Sequence, residues 1–184
     1  MSTATSARRR DGVRIVTAAR AVAAAVLAVV ITFSQDHSPT FGLLVFGVFQ
    51  IVQGAIVGIG LRAAARSRAG RLILLARAAI GVLLGTAALA LPYAGLGTLV
   101  LLVTAGSLVL GVLEVLSGLR REDAGPWSRD AVAVGGLTAV VGLLLSVLPP
   151  DAVFLVGLLG AWGAVVAVYL GIAAVSLLGE RSRS

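Results

Sequence analysis

The stretch RLILLARAAIGVLLGTAALALPYAGLGTLVLLVTAGSLVLGVLEVLSGLR, residues 71–120, sets two long apolar runs between arginine-bearing ends. Its one interruption, Pro-Tyr-Ala-Gly at 92–95, carries no charge. A helix rises about 1.5 Å per residue, so about 20 apolar residues are needed to cross about 30 Å of hydrocarbon, and each run is of that order. Proline ends a helix by removing a donor and clashing with the preceding turn. The stretch therefore reads as two antiparallel membrane-spanning helices joined by a tight turn.

The pattern continues outward on both sides. Toward the N-terminus, Arg8, Arg9, Arg10 and Arg14 precede an apolar run that breaks at residues 34–40 without Arg or Lys. A second run then ends among Arg62, Arg66, Arg68 and Arg71. Beyond Arg120, Arg121 and Arg129 lies another run, an uncharged or acidic break at 149–151, and a last run ending at Arg181 and Arg183. Thirteen of the 15 basic residues lie at alternate breaks, none at the others, and Arg20 and Arg77 sit inside apolar runs near the basic side. Positive charge in short loops stays cytoplasmic during insertion. The chain is thus expected to be an all-α integral membrane protein of six transmembrane helices with both termini cytoplasmic, multi-pass in the bacterial inner (plasma) membrane. The spans are expected at 13–33, 41–61, 72–91, 96–119, 131–148 and 152–178, with residues 1–12 a disordered cytoplasmic tail and 13–180 a single domain.

Composition agrees with this reading and narrows the function. Hydrophobic residues make up 59% of 184 residues and charged ones 12%, against roughly 25% charged in a soluble domain. A net charge of +7 suggests nucleic acid only if the basic residues share one surface; here they are dispersed at helix ends facing an anionic leaflet, so no nucleic-acid partner is expected. With no cysteine, disulfides, thiol chemistry and thiolate metal sites are excluded. Arg8–Arg10 are followed by Asp11 and Gly12 rather than a hydrophobic pair, and no small-x-small cleavage site follows the long first run, so an export signal is not expected.

The paired spans resemble one another. Arg14-Ile-Val-Thr-Ala-Ala-Arg20 matches Arg71-Leu-Ile-Leu-Leu-Ala-Arg77, offset 57. At offset 58, Arg71 and Arg77 fall on Arg129 and Gly135, and Gly60-Leu61-Arg62 falls on Gly118-Leu119-Arg120. Three antiparallel hairpins in one orientation are expected, as parallel repeats rather than the inverted repeats of many transporters. Gly54 with Gly58, Gly81 with Gly85, and Gly157, Gly160 and Gly163 have spacings that let helix backbones approach in lipid, serving packing within the protomer or contacts between copies.

Few side chains offer chemistry. Arg77 lies six residues beyond Arg71 and Glu114 six before Arg120, about 9 Å along a helix, so the two are expected at similar depth. An ionisable group within a span costs roughly 2.5–3.5 kcal/mol on insertion scales, and pairing lowers that cost. An Arg77–Glu114 ion pair is therefore expected, with Arg20 a second candidate partner; it serves either as interhelical glue or as a proton or ion relay. Gln50 and Gln53 share a helical face and suit interhelical hydrogen bonding or a polar path. Asp36 and His37 lie in the first loop on the side without arginine, where an isolated His lacks the clustered partners of acid switches. Asp151 is placed to cap the last helix. Glu122, Asp123 and Asp130, mixed with Arg120, Arg121 and Arg129, read as a solvated, self-neutralising loop. No phosphate loop, metal cluster or nucleophile–base pair is evident, so no catalytic, cofactor or metal site is expected and the protein is not expected to be an enzyme.

The organisation resembles the HdeD-type family, small bacterial membrane proteins of short repeated hairpins linked to acid resistance. The carrying residues are Gly81-Val-Leu-Leu-Gly-Thr-Ala-Ala-Leu-Ala-Leu-Pro92, then Leu96 to Gly111-Val-Leu-Glu114, closing on Gly118-Leu119-Arg120. The pattern recurs loosely in 136–149 and 152–171, and residues 13–180 are covered; the first hairpin departs most, with Gln35-Asp36-His37-Ser38 before Pro39. The resemblance implies a non-enzymatic protein acting in envelope or acid stress and brings no site residues. The alternative is a small transporter or channel subunit using Arg20, Gln50, Gln53, Arg77 and Glu114. A homo-oligomer or a membrane-protein partner is compatible with either.

Overall fold

The computed structural model describes residues 2–65, 67–120 and 126–179. Arg66, Arg121, Glu122, Asp123, Arg181 and Arg183 lie outside the described residues, as do the side chains of Arg8 and Arg62. The described residues form six helices and no strand: α1 Ser2–Phe33, α2 Pro39–Ala64, α3 Arg68–Ala90, α4 Gly95–Gly118, α5 Pro126–Val147 and α6 Ala152–Gly179. All six are long and apolar enough to cross a membrane. Large apolar side chains such as Ile15, Val26, Leu83, Leu101, Leu143 and Ile172 face outward, as a lipid-bathed surface requires. The chain is an all-α, multi-pass membrane protein.

Local chemistry sets the helix starts. Ser38 caps α2 by accepting from the Phe41 N–H at 3.2 Å, with Pro39 in the first turn, where its missing donor is not needed. Ser67 caps α3 by accepting from the Gly70 N–H at 2.9 Å. Asp151 caps α6, its Oδ1 accepting from the Phe154 N–H at 2.7 Å. Gly95 leads into α4 at φ +82°, a conformation open to glycine.

Two boundaries depart from expectation. The segment 1–12, expected as a disordered tail, is helical from Ser2. Its alanines and arginines are good helix formers, Val13 is buried, and Arg9 Nη2 donates to the Ala64 carbonyl at 3.4 Å. The fifth helix begins at Pro126 rather than near residue 131.

The helices follow one another around a closed bundle, with α6 returning to α1 and α2 reaching inward to α4 and α6. The most extensive contacts are α4 with α5, α2 with α3, and α1 with α6. These are not the pairs joined by the proline turns, and α5 and α6 touch little. Glycine placement gives the reason. A Cβ at Gly54 would lie 2.8 Å from the Ala78 carbonyl oxygen, one at Gly85 2.6 Å from that of Gly47, and one at Gly111 2.6 Å from the Ala139 nitrogen. Gly163 sits against Ala24 in the same way. These backbones touch where a side chain would hold them apart. The Gly54 and Gly81/Gly85 faces and the Gly160/Gly163 face are thus used within the protomer.

Two apolar clusters fill the interior. Leu43, Phe46, Leu99, Val103, Leu155 and Val156 belong to one, toward the proline turns; Val13, Val16, Val57, Leu74, Trp127 and Ala131 belong to the other, toward the arginine-bearing ends.

The seams set contrasting tolerances. Gly111→Ala is expected to cost about 1–3 kcal/mol, the usual range for overpacking, because the methyl meets the α5 backbone. Gly157→Ala, with nothing within 4 Å of the added atom, is expected to be neutral or slightly stabilising. Thermal unfolding of the two variants in mild detergent checks the difference.

Candidate functional site

Between the two apolar clusters lies a polar layer. Along α1 the order is Val13 and Val16, then Arg20, then Ala24 and Leu27; along α2 it is Phe46 and Phe49, then Gln53, then Val57. Arg20 is 2% exposed and Glu114 1% exposed.

Glu114 of α4 is the centre. Its Oε2 accepts from Arg77 of α3 twice, from Nε at 3.2 Å and Nη2 at 2.8 Å. Its Oε1 forms an ion pair with Nη2 of Arg20 of α1. Arg20 Nε donates to Gln53 Oε1 at 3.2 Å, and Gln53 Nε2 donates to the Arg20 carbonyl at 3.3 Å, so one α2 amide locks both the head and the backbone of Arg20. The Arg20 guanidinium also lies over the Trp127 ring, 5.2 Å from its centroid, where the ring's negative face attracts it. Ser117 Oγ donates to the Glu114 carbonyl at 2.7 Å.

Gly135 makes this arrangement possible. A Cβ there would lie 2.9 Å from Glu114 Cβ. Arg20 and Arg77 stand at matching sequence offsets and Gly135 at the third, and at that third position the space belongs to the carboxylate-bearing residue.

All five residues singled out in the sequence come together. Arg20, Gln53, Arg77 and Glu114 form the ionic layer, and Gln50 joins them around a small internal cavity of about 30 Å³. Arg77 and Glu114 pair as their depth suggested, and Arg20 is a full partner.

Other members were not anticipated. Asp130, read as part of a solvated loop, is 8% exposed inside α5 and interacts with Arg20 and with Tyr169 of α6. It is the fourth residue after Pro126, the start of its helix, so one turn of α5 carries it inward. The signal was that proline, which favours a helix's first turn. Trp127 comes from the same turn. Ser107, Thr138 and Trp162 also line the cavity; serine, threonine and tryptophan in apolar runs gave no pattern that singled them out.

Asp36 and His37 stand apart, in the loop between α1 and α2. The Ser38 N–H donates to Asp36 Oδ1 at 2.8 Å and holds that carboxyl below its ordinary value. Among the described residues, no three His, Asp or Glu residues gather as a metal site would require.

No protein-family model, curated protein or solved structure matches this chain. Chemically, the layer is a carboxylate engaged on both oxygens by two guanidinium groups. Charge-assisted bonds of this kind are among the strongest available to side chains. Hydrocarbon around the bundle offers no water to replace them.

Removing one partner strands the others. Glu114→Gln leaves buried Arg77 without its counter-charge and Arg20 with Asp130 alone, and is expected to lose about 3–5 kcal/mol of stability. Gln53→Leu, which unpairs only Arg20 Nε and a carbonyl, is expected to lose about 1–3 kcal/mol. Denaturant titration of each variant in detergent, followed by helical circular dichroism, gives both numbers.

Proposed function

We propose that this protein is a non-enzymatic, HdeD-like integral protein of a bacterial inner membrane, acting in envelope or acid stress as a rigid, closed bundle. In this reading the arginine-bearing ends and both termini face the cytoplasm, following the arginine distribution. The three hairpins are parallel repeats, closing through the α1–α6 seam. The observation that carries the reading is the Arg20–Arg77–Glu114 layer, held between two apolar clusters with only a small cavity beside it. Such a layer suits a bundle that keeps its shape and admits no traffic. The stress context comes from the resemblance over residues 13–180.

The second reading, a transporter or channel subunit, is favoured by one feature. The cavity extends the polar lining from Glu114 to Gln50, Ser107 and Thr138. A conduit needs a continuation past Phe46, Leu99 and Val156, which are buried in the apolar cluster on the proline-turn side.

Three measurements test the proposal. A deletion strain is expected to survive acid challenge poorly and to be rescued by the intact gene; equal survival of deletion and parent would remove the stress role. Proteoliposomes containing the protein are expected to leak protons no faster than empty ones, whereas a flux abolished by Glu114→Gln would establish the transporter reading. For orientation, the cysteine-free chain allows single labels. Tyr93→Cys is expected to react with an impermeant maleimide in intact cells and Arg68→Cys only after permeabilisation; the reverse pattern would invert the topology.

A further inference from the structure

The cavity beside Glu114 is walled on its polar side by Arg20, Gln50, Gln53, Arg77, Ser107 and Glu114. At about 30 Å³ it accepts an occupant the size of one water or a little more, since about 10–15 Å³ by the same kind of measure admits a water. Sulfate, phosphate and carboxylates are too large.

The lining is unbalanced in charge. Arg20 and Arg77 bring two positive charges and Glu114 one negative, a sum of +1. Asp130 lies outside the lining and has the exposed Arg129 near it as well as Arg20. Asp130 thus offsets the charge of Arg20 only in part, and a buried charge that is only partly offset favours a further counter-charge beside it.

The lining is also unbalanced in hydrogen bonding. Each guanidinium offers five N–H donors. Arg20 spends Nε on Gln53 and Nη2 on Glu114, and Arg77 spends Nε and Nη2 on Glu114. Among the described residues, neither Nη1 has a partner, nor does the Gln50 amide or the Ser107 hydroxyl. Trp162 Nε1 donates to Thr138 Oγ1 at 3.2 Å, and Thr138 donates to the Val134 carbonyl at 2.7 Å, so that side is already satisfied. Both Glu114 oxygens are held by the arginines, while the Gln50 amide and the Ser107 hydroxyl, which can donate or accept, are able to turn a donor to the cavity. Spare donors, an excess positive charge and room for one small particle define an anion's surroundings.

We propose that this cavity is a binding site for a small monovalent inorganic anion of halide size, with chloride its cellular occupant. The anion completes the layer as a second negative partner for Arg20 and Arg77, opposite Glu114. The site does not depend on the stress role and requires no path across the membrane.

The test uses the full chain, purified in mild detergent and exchanged into gluconate, an anion too large to enter. Chloride or bromide added at constant ionic strength is expected to raise Tm by about 3 °C or more, rising with the logarithm of halide concentration once the site fills. Bromide is also expected to quench the fluorescence of Trp162, at the cavity wall, in a saturable manner. Ser107→Val, which fills the cavity and leaves every charge in place, is expected to fold and to lose both responses; Gln50→Leu is expected to weaken halide affinity several-fold. Equal Tm in gluconate and chloride, or a halide response unchanged in Ser107→Val, would overturn the proposal and leave the cavity to water.

Discussion

A single carboxylate shared by two guanidinium groups holds this protein's architecture together. Outside the bundle there is only hydrocarbon, so Glu114, Arg20 and Arg77 cannot trade one another for water. Their needs fix the helices that carry them. Arg20 places α1, Arg77 places α3 and Glu114 places α4. Gln53 brings α2 to Arg20, Trp127 and Asp130 bring α5, and Tyr169 brings α6 through Asp130. Each helix contributes at least one group to the same layer.

Apolar packing then serves the layer rather than competing with it. Glycine seams let α2 approach α3 and α4 approach α5 until backbones touch, bringing the shafts close enough for short side chains and long arginines to meet. Van der Waals contact is the main attraction left between helices in lipid, where burial against a neighbour gains little over burial against acyl chains. The ionic layer supplies what that contact lacks, a preference for one rotation and depth of each helix. The apolar clusters on either side keep the layer dry, and dryness strengthens its electrostatics.

Much of this was legible in the residues. Six spans followed from run length and arginine placement, and Arg77 and Glu114 were matched because each lies six residues from a basic boundary. Depth is a quantity the chain records along its own axis. Neighbourhood around the bundle is not recorded there. A short connection fixes that two helices are adjacent, while glycines on particular faces decide how closely any two approach, so the most extensive seams fall elsewhere than at the proline turns. Asp130 was misplaced because its neighbours in sequence, Arg129 before it and the charged residues 120–123, have the composition of a loop. A proline at 126 had already begun the helix, and one turn was enough to carry the acid inside.

The α1–α6 seam joins the two ends of the described chain, and the ion pairs span almost as far. Ninety-four residues separate Arg20 from Glu114. At about 5–20 residues per second of synthesis, that is roughly 5–19 seconds. During that interval a nascent chain holds an arginine in its first span with no carboxylate to meet it. Of the partners of Arg20, Gln53 comes first in the chain and Glu114 well after it, while α6, with which α1 makes its most extensive contact, comes last. Biogenesis of this protein is therefore a problem of custody. In that order of synthesis, Gln53 of α2 is at hand for Arg20 before the carboxylate and the closing helix follow.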